Sequence, residues 1–182
     1  MRSAITLAGA TDMDALEPLG AFERRDDRID MRFERHYPRS VERVWSALTE
    51  PARLQDWMGA ALVEPRVGGR YELMIDGPNP MIGRVLRWES PRVLEFTWSN
   101  RHAPDSTARY ELSPDGDGTR LIFTHSGAPF ANRALMLPGW HHFFDRLHAC
   151  LGAPTDEPKQ SWRELQTVYV GRYAMSDARL DP

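Results

Sequence analysis

The chain has 182 residues, 41% of them hydrophobic and 27% charged, with a formal net charge of −3. That length and apolar share fit one domain with a packed core and exclude wholesale disorder, and the slight acidity offers nucleic acid no global basic field. A single cysteine, Cys150, excludes an internal disulfide and any multi-cysteine metal site, and no apolar run approaches the roughly 20 residues of a membrane helix. Lys159 is the only lysine among 23 cationic residues, which reads as the coding bias of a GC-rich bacterium.

Residues 1–20 are small, acidic and aperiodic. They read as a flexible leader: the stretch Ala4 to Ala10 is too short and too soon followed by Asp12 and Asp14 for a secretory signal, so the cytoplasm is the expected compartment. Order is expected from Ala21. After a turn at Arg25-Asp26-Asp27, Ile29, Met31 and Phe33 alternate with polar neighbours, the period of a half-buried strand. Pro38 stops it. Ser40 is the expected N-cap of a short helix with Val41, Val44, Trp45 and Leu48 on one face. Thr49 is the expected cap of a second, opened by Pro51, carrying Leu54 and Trp57 and closed by Gly59.

Strands are then expected over 61–64, 70–76, 81–88, 93–98, 107–112 and 121–125, with turns at Gly68-Gly69, Gly77 to Pro80, Ser90-Pro91 and Ser113 to Gly118. Short turns and no intervening helices mean an antiparallel sheet. Residues 127–137 read as a loop and Pro138-Gly139 as the start of a long helix, with Trp140, Phe144, Leu147 and Leu151 on one stripe. A last amphipathic helix is expected near 160–175, and 176–182 as a tail. The order is that of an α+β domain: a curved antiparallel sheet of about six to seven strands around one long helix.

Several pieces follow one another at characteristic spacing. They are Met31-Arg32-Phe33-Glu34-Arg35, Ser40 through Pro51 to Trp57, Val67-Gly68-Gly69-Arg70-Tyr71, Pro91 to Trp98, Asp117 to Leu121, His125-Ser126-Gly127 and Gly139-Trp140. Together they resemble the SRPBCC (START-like, helix-grip) superfamily, in the branch named after the C-terminal domain of the activator of heat-shock protein 90 ATPase. The resemblance covers residues 21–175. It implies a helix-grip fold whose cavity, in many relatives, holds an apolar small molecule, and it brings no shared catalytic motif.

His141, Asp145 and His148 share one helix face at spacings that suit zinc, but one helix cannot place three tetrahedral ligands, and a solvated face is the expectation. Asp115 to Thr119 opens like a calcium loop but has Ser126 where the loop needs glutamate, so it reads as a hairpin turn. No metal and no cofactor is expected. Alternation turns His125 inward with Leu121 and Phe123, either as a general acid or base or as a structural histidine of the sheet end. Tyr71 and Tyr110 share its face, either orienting a polar ligand group or packing as core with their hydroxyls at the rim. Arg109 and Glu111 alternate outward. Cys150, near the apolar stripe, reads as inert packing.

The expected ligand site is an apolar pocket opening toward Trp57. It is walled by Trp57 (which reads equally as plain core), Tyr71, Phe96, Trp98, Tyr110, Phe123, Trp140 and Phe144, with His125 as a polar contact; no catalytic residue is assigned, and His125, with Tyr110 and Tyr71, is the candidate under an enzymatic reading. The leading functional expectation is binding of an apolar or amphipathic small molecule without an assigned reaction. The alternative is an enzyme of the cyclase, aromatase or hydrolase kind using polar cavity residues. Third comes a chaperone-related interaction module, ranked last because a chaperone activator of this kind has a further N-terminal domain. A homodimer is left open; nucleic acid and membrane insertion are not expected.

Overall fold

The computed structural model describes residues 18–77, 79–152 and 160–180. The chain forms β1 (Ala21–Arg25), β2 (Arg28–Tyr37), α1 (Val41–Thr49), α2 (Pro51–Trp57), β3 (Ala60–Val63), β4 (Arg70–Asp76) and β5 (Asn79–Glu89). β6 (Val93–Trp98), β7 (Ser106–Asp115), β8 (Gly118–Pro129), α3 (Arg133–Leu151) and α4 (Trp162–Tyr173) complete it. All strands join one antiparallel sheet in the order β1-β2-β8-β7-β6-β5-β4-β3. Among the described residues the strand count is eight rather than six to seven, because Ala21–Arg25 pairs with Arg28–Arg32 as a full hairpin arm. Among the described residues no helix is long and apolar enough to cross a membrane.

The period-two pattern settles which face looks inward. Ile29, Met31, Phe33, Arg35 and Tyr37 of β2 are buried, and Ser106, Ala108, Tyr110 and Leu112 repeat the pattern on β7. Arg109 points to the outer face, where it pairs with Glu95 and Glu111 at 2.8 Å each. The stripe of α3 covers the inner face. Phe144 packs on Phe33 with ring centres 5.4 Å apart, and Trp140 on Phe123 at 4.1 Å.

Local signals place the short helices. Ser40 caps α1 through its side chain, accepting from the Arg43 N–H. Thr49 does not cap α2 as expected: its hydroxyl donates back to the Trp45 carbonyl, and Glu50 stands at the N-cap without a side-chain bond. Gly59 follows α2 at φ 140°, where a Cβ would run into the Met74 carbonyl, so only glycine lets β3 start there.

The largest departure concerns residues 127–137. β8 runs on to Pro129, with Gly127 at φ 78° bulged out of register between Ser126 and Ala128. A 3-10 turn at Phe130–Asn132 follows, and α3 begins at Arg133, five residues before Pro138. A proline inside a helix removes the N–H that would bond the carbonyl four residues back, here that of buried Ala134. The Gln166 side-chain amide of α4 donates to that carbonyl at 3.1 Å and to Leu180 O at 2.9 Å. The helix therefore passes through Pro138 because α4 supplies the donor that proline lacks.

α4 is capped at its start and bonded to the N-terminal segment. Ser161 and Glu164 form a reciprocal capping box at its start. The Tyr169 hydroxyl accepts from Gly20 N–H, and the Tyr173 hydroxyl donates to Gly20 O, so both backbone groups of Gly20 are held by α4. Pro18 O accepts from Arg35. Pro18–Gly20, the described part of the expected leader, are thus tied to the domain; residues 1–17 lie outside the described residues. The described part of the expected C-terminal tail is also held: Arg133 pairs with Asp177, and Arg179 N–H donates to Ala131 O.

Candidate functional site

On the inner face, the side chains expected to wall a pocket near Trp57 fill one another's space. Tyr71 stacks on Phe96 at 4.0 Å, Tyr110 lies 4.8 Å from Phe123, and Phe144 packs against both Phe123 and Trp140. Trp57 is core: its indole donates to Ala47 O, and its ring lies behind Phe143. The Tyr71 hydroxyl donates to Leu48 O. Neither it nor the Tyr110 hydroxyl reaches a rim; both residues are buried, and burial pushes both phenols up.

The open space lies further along, over the N-terminal half of α3. A cavity of about 140 Å³ sits between this half, the connection from β6 to β7 and the start of α4. Its buried walls are Trp98, Leu135, Met136 and Trp140, and Phe143 borders it. Its mouth is formed by Ile75, Asn100, His102 and Trp162, all half-buried. Gly139 leaves room on the helix side, where the nearest atom to a Cβ would be Trp162 Nε1 at 3.8 Å. Of the expected wall residues, the structure brings Trp98 and Trp140 to this cavity.

The mouth is a built frame. Asn100 Oδ1 accepts from the N–H groups of His102 and Ala103, and Asn132 Nδ2 donates to His102 O. These bonds hold the β6–β7 connection against the turn before α3.

Behind the wall lies His125. The Trp140 indole donates to its Nδ1 at 3.0 Å, so that nitrogen carries no proton and the neutral ring holds its hydrogen on Nε2. Nε2–H donates to Ser106 Oγ at 2.8 Å, and the Ser106 hydroxyl lies 3.0 Å from both Trp98 O and Ala103 O. Both ring nitrogens are engaged, and burial lowers the pKa to about 3. The ring orients Trp140 and the end of β6, and has neither a free lone pair nor a poised proton for chemistry in the cavity.

His141 departs from its expected solvated position. It is buried under α4, with Nδ1 2.9 Å from the Tyr169 hydroxyl and Nε2 3.6 Å from Asp145. Burial, then the positive fields of Arg35 and His142, bring its pKa to about 3. Among the described residues no three His, Cys, Asp or Glu side chains gather to hold a metal. Cys150 is exposed rather than packed into the stripe, its thiol 3.6 Å from Asp56 O.

The profile of the family described as Activator of Hsp90 ATPase homolog 1-like protein matches residues 38–152, more than half of the chain. The chain belongs to this family. Solved structures agree with the Hsp90 ATPase activator-like fold. CalU16 from Micromonospora echinospora superposes with a TM-score of 0.67 at 27% identity, over 84% of this chain and 95% of its own. MLL2253 from Mesorhizobium loti gives 0.61 at 28%, over 67% and 96%. EF2215 from Enterococcus faecalis, described as a conserved protein of unknown function, gives 0.72 at 20%, over 90% and 92%, a likeness of fold alone. No curated protein matches the sequence. The activator-like match stops at residue 152, so Trp162 at the cavity mouth lies outside it.

Proposed function

We propose that the protein binds a small, largely apolar molecule in the cavity over the N-terminal half of α3. The observation that carries this is a pocket of about 140 Å³, open at one side, walled by tryptophan, phenylalanine, leucine and methionine. Dry apolar cavities near 150 Å³ hold benzene-sized guests. A one-ring ligand burying about 150 Å² gains about 4 kcal/mol, a millimolar affinity that tight packing or a hydrogen bond would improve. The saturated, neutral His125 favours binding over acid–base catalysis.

Toluene is a suitable probe. Titrating it should shift the indole N–H resonances of Trp98 and Trp140, and Gly139→Leu, which fills the space from the helix side, should abolish the shifts while leaving the folded spectrum. Unshifted indole resonances at saturating toluene would remove the proposal. Native mass spectrometry of freshly purified protein should show a co-purified small molecule.

A further inference from the structure

The buried histidine of α3 is joined to two segments far from it in the chain. His141 Nδ1 lies 2.9 Å from the Tyr169 hydroxyl of α4, and that hydroxyl accepts from Gly20 N–H at 2.7 Å. A phenol has one hydrogen to give. Gly20 N–H occupies a lone pair of the oxygen, so the hydrogen goes to Nδ1, and the neutral ring keeps its own hydrogen on Nε2, facing Asp145 Oδ1 at 3.6 Å. The row of bonds therefore runs one way, from Gly20 through Tyr169 into His141, and its last step needs a bare Nδ1. A second proton on the ring would set N–H against O–H there and strand the phenolic hydrogen in a buried place, since His141 is 1% exposed and Tyr169 0%. The surroundings oppose that proton: burial, Arg35 of β2 and His142 of α3 all work against it, and only Asp145 favours it.

The helix held by this row is lightly packed. Of its twelve residues only Leu165 and Tyr169 are buried, and Tyr169 is the one whose bond depends on His141. Segments with few buried apolar side chains open ahead of the rest of a fold. We propose that His141 is a proton-operated latch: protonation of its ring frees α4 from α3 and from Gly20 while the sheet and α3 stay folded. The freed ring takes up a proton below about pH 6.5 and the latched ring only near pH 3, so each pH unit between them multiplies the opened population by up to about ten. Opening is therefore rare at neutral pH and grows on acidification. Because α4 carries Trp162 at the cavity mouth, the same step widens the opening and loosens the hold on a ligand. That consequence rests on the binding proposed above; the latch itself does not.

Native-state amide exchange on the full chain tests the latch, with each rate divided by the intrinsic rate at that pH. From about pH 6 to 4 the protection of the Gly20 and α4 amides should fall together, by up to about tenfold per pH unit, and at every pH it should lie below that of the β7 and β8 amides. His141→Gln keeps an acceptor for the Tyr169 hydroxyl and does not titrate, so its α4 protection should lose this slope. Tyr169→Phe removes the phenol and should lower Gly20 and α4 protection together already at neutral pH. Level α4 protection in the wild type, the same slope in His141→Gln, unchanged protection in Tyr169→Phe, or α4 amides that exchange only with the sheet would each overturn the latch. The shifts that toluene induces in the Trp98 and Trp140 indole resonances should fade over the same pH range. Shifts that persist while α4 protection falls would overturn the effect on the mouth, whereas no shifts at neutral pH would end the binding proposal and leave the latch standing.

Discussion

Gln166→Leu is expected to be costly only because Pro138 is where it is. In the wild type the Gln166 amide is the donor to Ala134 O, a carbonyl left open by the proline four residues on. Leucine removes the amide, keeps comparable bulk and leaves that buried carbonyl unpaired, at a cost of about 1–3 kcal/mol. It also removes the bond to Leu180 O, worth about 1 kcal/mol. Pro138→Ala restores an N–H that can reach Ala134 O within the helix. In that background Gln166→Leu should lose the Leu180 bond alone. A double-mutant cycle read from urea midpoints, with unchanged m-values, should therefore give a coupling of at least about 1 kcal/mol, and the Leu180 bond cancels from it. Equal costs in both backgrounds, within about 0.5 kcal/mol, would show that the amide does not replace the proline's missing donor.

Stability should fall on acidification. His125 and His141 hold pKa values near 3 in the folded protein against about 6.5 unfolded, so below pH 6.5 the unfolded chain takes up protons that the folded one does not. Stability is full above that pH and is lost toward pH 3, by up to about 1.4 kcal/mol per pH unit for each ring; urea midpoints that stay level from pH 7 to 5 would mean that the rings protonate in place. Truncations ending after Glu17 and after Gly20 differ only by residues 18–20, whose bonds to Arg35, Tyr169 and Tyr173 should make the shorter protein melt several degrees lower. Trp45→Ala should cost about 3–5 kcal/mol, since this buried ring packs edge-on against Trp88 at 5.3 Å; a wild-type midpoint would put the ring outside the core. Gly139→Ala should stabilise by about 0.5–1 kcal/mol through helix propensity, because its Cβ meets nothing closer than 3.8 Å.

Local pattern was enough where one face decided everything. The alternation of Ile29, Met31 and Phe33, the Ser40 cap and the stripe from Trp140 to Leu151 each appear in the structure as read. It failed where a distant residue changed the meaning of a local signal. Gly127-Ala128-Pro129 has the composition of a loop, yet pairing with β2 carries the strand through it as a bulge. Pro138 looks like a helix start unless Gln166, 28 positions later, is known to serve Ala134. His141 looks solvated until α4 lies over it. The Ser161–Glu164 capping box, legible in the sequence, marks where that helix begins. The cavity was misplaced for a related reason. Alternation tells which side chains face inward, but not which of them fill each other's space; Tyr71, Phe96, Tyr110 and Phe123 do, and the gap falls where Leu135, Met136 and Gly139 meet Trp98.

One side of the cavity mouth comes from outside the stretch that the family profile matches. Trp162 lies ten residues past the end of the family match at residue 152, on a helix held by side chains rather than by the sheet's backbone ladder. Exchange of the side chain at position 162 redraws the opening over the same interior, while Gln166, Tyr169 and Tyr173 keep the helix bonded to Ala134 and Gly20. In this protein the shape of the opening can therefore change at one half-buried ring without touching the bonds that hold its helix, whereas removal of the whole helix would unpair Ala134 O and the backbone of Gly20.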